Sequence, residues 1–247
     1  YHLASYGNSS FQTDPKTVLE TNIVGTANLL VALQDIDFEC FVNTGSSSEY
    51  GFKSQPMKES DLLEPNSFYA ATKAGTTYFV SGYATMLEKP IVTVRPFSVY
   101  GPFEDSRRLI PTVIVRMLNH KPIMLTPKTT RRDFIYIQDV IDFYILLVSK
   151  ISKIKPGSVF NLGTGQQSSN NDIADTISRI VNEKPKIIIG GYPNHAWDNQ
   201  YWVADMKQAR RQLSWEPHFS LLSGLTETVN WFKSFPRLNS YYGNSTK

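Results

Sequence analysis

The chain has 247 residues, 41% hydrophobic and 19% charged, with 25 Lys and Arg against 22 Asp and Glu for a formal net charge of +3. That is the make-up of a soluble globular protein with one large core or two closely packed lobes. The tightest basic clusters, Arg107-Arg108 and Arg131-Arg132, are too short for a nucleic-acid stripe, and no apolar run reaches membrane-spanning length. Neither nucleic acid nor membrane is therefore an expected partner, and with no secretory leader in view the cytoplasm is the default location.

The elements alternate in chain order. Residues 14–33 carry Val18, Leu19, Ile23, Ala27, Leu30 and Val31 at helical spacing, with Asp14 as N-cap and Pro15 at the first helical position. Residues 41–44 read as a strand that ends at Gly45, and the apolar setting of the single cysteine, Cys40, reads as a buried thiol. A polar loop over 52–66 precedes a helix over 67–87, and 91–95 is a β-branched strand suited to burial in a parallel sheet. Beyond Pro102 the spacing predicts helices over 109–119, 139–150, 171–181, 205–213 and 221–235, strands over 122–125, 133–137 and 158–162, and a frayed tail from Asn239.

Chemistry concentrates where Tyr69 and Lys73 stand four apart near the start of the 67–87 helix, downstream of the seryl strand end Thr44-Gly45-Ser46-Ser47-Ser48-Glu49-Tyr50-Gly51. Side chains four apart share a helix face. An ammonium there favours the phenolate and draws a tyrosine down from about 10 toward neutrality. Such a phenol takes a proton from a hydroxyl and returns it, while a serine holds the same oxygen.

In isolation this spacing is also that of an ordinary surface pair. The ordered company is more specific: His2-Leu3-Ala4, Asn22-Ile23-Val24-Gly25-Thr26, the seryl strand end, Tyr69/Lys73, Arg95-Pro96-Phe97-Ser98-Val99-Tyr100-Gly101-Pro102, Arg131-Arg132-Asp133-Phe134, Asn161-Leu162-Gly163-Thr164-Gly165 and Leu213-Ser214-Trp215-Glu216-Pro217. Over nearly its whole length the chain resembles the extended short-chain dehydrogenase/reductases, in particular the NAD-dependent nucleotide-sugar epimerase/dehydratase branch.

The resemblance implies an α/β fold: a partial Rossmann doubly wound parallel sheet in residues 1–102, and a smaller α/β substrate lobe in 103–247 from which the chain crosses back to the sheet. The family's Gly-x-x-Gly-x-x-Gly turn has no counterpart here, so the chain reads as a piece lacking the N-terminal nucleotide-binding half. A piece so made is expected to bind dinucleotide poorly. The cofactor implied is NAD, with NADP left open because the residue that distinguishes them would lie in that half.

The site residues follow by resemblance. Ser46, Tyr69 and Lys73 form the triad, with Ser47 or Ser48 in place of Ser46 if the loop is offset. Leu3, Ala4, Ser5, Asn22 and Phe97 join Tyr69 and Lys73 on the cofactor side. Ser47, Ser98, Arg132 and His195 face a nucleoside-diphosphate sugar, with Arg132 on the diphosphate or, alternatively, paired with Asp133 or Asp139. The branch's dehydratases carry carboxyl groups or serine-glutamate after the catalytic hydroxyl; here Ser47 and Ser48 stand there and Glu49 is displaced by one, so no 4,6-dehydratase activity is expected. The leading expectation is an epimerase acting by transient oxidation at C4, most members being homodimers. The alternatives are a 4-keto-deoxysugar reductase of the CDP-sugar type and a catalytically incomplete Rossmann fragment.

Overall fold

A computed structural model describes residues 1–9, 11–126, 130–190, 201–237 and 242. Its centre is a parallel sheet in which β1 (Phe41–Thr44) pairs with β2 (Ile91–Pro96) and β2 pairs with β7 (Val159–Leu162). His2 lies beside the outer edge of β1, bridging Asn43 in parallel sense through His2 N–H to the Val42 carbonyl and Thr44 N–H to the His2 carbonyl. The residues from Ile91 to Arg95 are all buried, as expected of a strand covered on both faces.

On one face lie α1 (Pro15–Leu19), a π-helical turn (Glu20–Val24), α2 (Gly25–Ala32) and α3 (Phe68–Met86). Leu30, Phe41, Val80, Ala84 and Ile91 close that interface. The opposite face packs Val92, Val94, Phe160 and Leu162 against α5 (Ile137–Lys150) and α7 (Lys207–Leu213) through Phe143, Leu147, Ala209 and Leu213. Each such aliphatic or aromatic side chain contributes roughly 1.5–3 kcal/mol.

The second core lies among α4 (Leu109–Leu118), α6 (Asn170–Val181) and α8 (Leu221–Ser234), where Ile110, Ile114, Ile173, Ile177, Leu225 and Phe232 meet. Short two-stranded sheets rim it: β3 (Ser98–Tyr100) with β6 (Phe134–Tyr136), β4 (Ile123–Leu125) with β9 (Ile187–Ile189), and β5 (Arg131–Arg132) with β8 (Ser168–Ser169). The helices expected from spacing are present within a few residues of their predicted ends. The long first helix is interrupted by the wide turn around Asn22. Cys40 is half-buried just ahead of β1, not inside it, and burial pushes its thiol up. Among the described residues, no helix is long and apolar enough to cross a membrane.

Candidate active site

β1 delivers the chain to the site at its carboxyl end. After Thr44 and Gly45, Ser46 is extended (φ −160°, ψ 144°) and caps a single 3₁₀ turn, Ser47–Tyr50. Its Oγ accepts the Ser48 N–H (3.1 Å), and its own N–H is held by the Glu49 carboxylate (2.8 Å), a reciprocal capping box. One acceptor lone pair is taken by that amide, and the hydroxyl's O–H remains to donate elsewhere.

α3 brings the other two members. Ser67 caps it by accepting the Ala70 N–H (3.1 Å), which starts the helix one residue before Tyr69. The Ser46 and Ser5 side chains both act on the Tyr69 phenol, so the three hydroxyls lie close to one another. Lys73 follows one turn on, almost wholly buried, with Nζ donating to the Thr44 carbonyl (2.5 Å).

The electrostatics differ from the sequence expectation. Burial is the largest influence on Tyr69 and holds its phenol above the ordinary value, and the Glu49 charge acts in the same direction. The Ser46 hydrogen bond, the Arg108 charge and the Ser5 hydrogen bond draw it down. A cation that favours the phenolate is thus Arg108, at the start of α4, while Lys73 is engaged with the strand-end carbonyl. Burial lowers the Lys73 amine and the Glu49 carboxylate partly restores it.

On the cofactor side, Leu3, Ala4 and Ser5 are exposed just beyond the His2 bridge, at the carboxyl end of a parallel strand, where α/β sheets receive ligands. Asn22 fixes that segment. Its amide oxygen accepts the Tyr6 N–H (2.8 Å) and its NH₂ donates to the Tyr6 carbonyl (2.8 Å) and to Thr72 Oγ1 (2.9 Å). Phe97 packs into the central core at 6% exposure. An exposed main-chain segment beside Ser46, Tyr69 and Lys73 fits a dinucleotide's nicotinamide end.

The substrate side is tied to the seryl turn through Trp202. Its indole N–H donates to Ser47 Oγ (3.1 Å), and the Arg132 guanidinium stacks over its ring at 5.0 Å. Ser98 takes its place through β3–β6 pairing, its N–H donating to the Asp133 carbonyl (2.9 Å). His195 and the tail from Asn239 lie outside the described residues, Tyr242 apart.

Asp133 is wholly buried. It accepts Thr164 N–H (2.8 Å), Thr164 Oγ1–H (2.6 Å), Gly165 N–H (2.9 Å) and Ala204 N–H (3.1 Å). A Cβ on Gly163 would stand 2.7 Å from its Oδ2 and 2.9 Å from the Ala204 Cβ, so only glycine allows this approach. Asp139 likewise accepts the His218 and Phe219 amides (2.8 and 3.1 Å). Both carboxylates considered as partners for Arg132 are engaged by amides.

Sequence reasoning did not anticipate the network beneath the turn. Glu49 Oε2 meets Arg95 Nε at 2.7 Å; Arg95 Nη1 donates to the Tyr50 hydroxyl (2.9 Å), which donates to Asn161 Oδ1 (2.7 Å). Asn161 in turn donates from Nδ2 to the Met57 carbonyl and from its main chain to Glu59. Nor did it single out Glu104, in the loop before α4, whose Oε2 has no hydrogen-bond partner among the described residues. Burial pushes that carboxyl up to about 8, against the opposing Arg108 charge. Among the described residues no group of three His, Cys, Asp or Glu side chains is arranged to hold a metal ion.

Comparison with known proteins returns a consistent picture. A model described as the NAD dependent epimerase/dehydratase family matches residues 1–163. A UDP-glucuronate 4-epimerase from Thermodesulfobacterium geofontis is 34% identical over 226 residues, 89% of this chain and 67% of that protein. A trifunctional UDP-glucose 4,6-dehydratase/UDP-4-keto-6-deoxy-D-glucose 3,5-epimerase/UDP-4-keto-L-rhamnose-reductase from Arabidopsis thaliana is 27% identical over 94% of this chain, which spans only 34% of its length. Among solved structures, the Bacillus cereus UDP-glucuronic acid 4-epimerase in complex with UDP-glucuronic acid and NAD superposes with a TM-score of 0.85 at 29% identity, over 95% of this chain and 75% of that one.

Proposed function

The chain belongs to the NAD-dependent epimerase/dehydratase family, and from that premise we propose that it serves a nucleoside-diphosphate-sugar 4-epimerase with Ser46, Tyr69 and Lys73 as its triad. The observation that carries this reading is the convergence of the Ser46 and Tyr69 hydroxyls, with Lys73 one turn below, beside the exposed Leu3–Ser5 segment. When bound, NAD supplies the reversible two-electron acceptor that allows a carbinol carbon to be oxidised and then reduced from its other face. Leu3, Ala4, Ser5 and Lys73 would hold its nicotinamide ribose.

Tyr69 accepts the proton of the sugar 4-hydroxyl as the carbonyl forms, and returns it when the alcohol is regenerated. Ser46, one acceptor lone pair taken by the Ser48 amide, donates to the same sugar oxygen. The buried phenol must be brought down for this work, and with the Ser46 O–H turned to the sugar oxygen it is Arg108 and Ser5 that act in that direction. Arg132, oriented by the Trp202 ring, suits a diphosphate because its planar fork matches two phosphate oxygens.

Elimination of water across C5 and C6 is disfavoured. The branch's dehydratases carry carboxyl groups or serine-glutamate directly after the catalytic hydroxyl, whereas here Ser47, engaged by Trp202, is followed by Ser48, and Glu49 is sealed beneath the turn. The second reading is a 4-keto-sugar reductase, which would use the same hydroxyls with net consumption of reduced nicotinamide.

The homodimer is proposed on the same basis, supported by exposed Leu19, Val24 and Val31 on the first helical stretch and Tyr78, Phe79 and Met86 on α3. A second copy of the chain is the natural cover for such a surface.

The test is to incubate the protein at its natural length with NAD and UDP-glucuronate, UDP-glucose, UDP-N-acetylglucosamine and dTDP-glucose, following products by NMR and reduced nicotinamide by absorbance. A C4 epimer without net change of nicotinamide is the expected result, with Tyr69→Phe reducing kcat by roughly 10²–10⁴-fold. Stoichiometric consumption of reduced cofactor with 4-keto substrates would replace the epimerase by the reductase. A 4-keto-6-deoxy product, or no turnover of any nucleotide sugar, would overturn the proposal.

A further inference from the structure

We propose that Glu49 is the positioning residue of the triad, one oxygen of its buried carboxylate bridging the serine turn to the tyrosine/lysine helix. The inference rests on the triad reading above. Glu49 is 0% exposed. Its Oε1 accepts the Ser46 N–H at 2.8 Å from the turn and the Thr77 hydroxyl at 3.0 Å from α3. Thr77 lies one helical turn beyond Lys73, so the bridge is made on the face of α3 that carries the triad. Oε2 takes Arg95 Nε at 2.7 Å, which ties the same carboxylate to β2. Three elements that reach the site from separate parts of the chain are thereby referred to a single group.

Space confirms the design. A Cβ on Gly45 would stand 2.5 Å from Glu49 Oε1, 3.1 Å from Thr93 Cγ2 and 3.2 Å from Arg95 Cγ. The strand end is thus bare where the carboxylate must pass beneath it. The Arg95 pair makes burial of the charge tolerable, since an unpaired buried carboxylate is strongly destabilising. The Glu49 charge also supports the protonated form of Lys73 against burial. Without the bridge, Ser46 keeps its sequence position but loses its fixed distance to Tyr69, and misplacement by about 1 Å is enough to cost on the order of 10²-fold in rate.

The experiment compares Thr77→Val, Glu49→Gln and the double variant Glu49→Val/Arg95→Met with the parent protein. Thr77→Val removes only the α3 side of the bridge and keeps side-chain shape, which guards against simple failure to fold. Amide hydrogen exchange is read at Ser46 and Ser48 and, as an internal reference, at Val94 and Phe160 in the sheet. Kinetics with a turned-over UDP-sugar give kcat, KM and the pH profile.

For Thr77→Val, exchange at Ser46 and Ser48 is expected to rise about 10-fold with the sheet amides changing less than about 2-fold, the reach of one lost hydrogen bond. Its kcat should fall roughly 10-fold with KM within about 2-fold. The double variant should recover melting temperature better than kcat. Glu49→Gln, which removes a charge that raises both Tyr69 and Lys73, should move the acidic limb of kcat/KM to lower pH. Exchange at the turn that merely follows global stability, or kcat unchanged in Thr77→Val, would sink the inference. If the parent turned over no nucleotide sugar while the turn amides still lost protection, the epimerase reading would fail and the bridge would stand.

Discussion

The seryl turn and the substrate-side cradle each depend on a wholly buried carboxylate, and they satisfy it by opposite means. Glu49 is charge-paired with Arg95 and reaches out to an amide and a hydroxyl on different elements. Asp133 takes three main-chain amides and the Thr164 hydroxyl, gathering residues 163–165 and 204 around itself. The ion pair links distant strands and helices; the amide cluster shapes loops that lack regular structure. Glu104 supplies the contrast, a buried carboxyl with an oxygen unpartnered among the described residues, which keeps its proton instead. Burial pushes all three carboxyls up; the Arg95 cation opposes it at Glu49, and Thr164, Gly165 and Ala204 oppose it by hydrogen bonds at Asp133.

The largest test of this contrast is Asp133→Ala. It strands four donors at once and should cost roughly 3–5 kcal/mol in urea denaturation, given that each unsatisfied buried group costs about 1–3 kcal/mol. A loss below about 1 kcal/mol would show that water replaces the carboxylate and that the cradle is not organised by it. Next comes Gly45→Ala. The added methyl meets Glu49 Oε1, Thr93 and Arg95 together, so a destabilisation of about 1–3 kcal/mol is expected from overpacking, with kcat falling further than stability alone explains.

An effect of similar size belongs to Glu104→Gln and appears only with pH. The folded protein retains a proton on Glu104 up to about 8, against an ordinary value of 4.5. Its contribution is therefore fully present below the ordinary value and is lost as pH rises through the folded one. Glu104→Gln should match the parent near pH ~4 and exceed it by roughly 1–3 kcal/mol near pH ~9, after discounting for solvent screening. Parallel stability curves for the two proteins would show that Glu104 finds a partner when ionised.

Much of this was legible in the sequence where a single element carries the signal. The Tyr69/Lys73 face follows from helical period, and the burial of β2 from Ile91-Val92-Thr93-Val94. Ser46 needed the likeness to a known family, because a capping serine and a catalytic one look alike in a Ser-Ser-Ser run. β3, β5, β8 and β9 are not foreseen because two or three residues form a strand only when a partner is present, and those partners are remote in the chain. The displacement of Glu49 from the dehydratase position was readable; its reach to Thr77 and Arg95 was not, since those residues lie 28 and 46 positions away. Most instructive is Tyr69. Spacing promised a phenol lowered by Lys73, whereas burial, invisible in a string of letters, raises it.

The wide helical turn at Glu20–Val24 has an outcome of its own. The Asn22 carbonyl accepts from the hydroxyls of Thr26 and Thr76, while its side chain grips Tyr6 and Thr72. That extra backbone step works as a dowel, pinning the first strand segment and α3 into one piece. Deleting a single residue there would restore an ordinary α-helical pitch, which turns about 100° per residue, and swing the amide away from Tyr6. The Tyr6 segment would then come loose from α3 while the core around β2 kept its packing, so a one-codon loss separates folding from the placement of that segment.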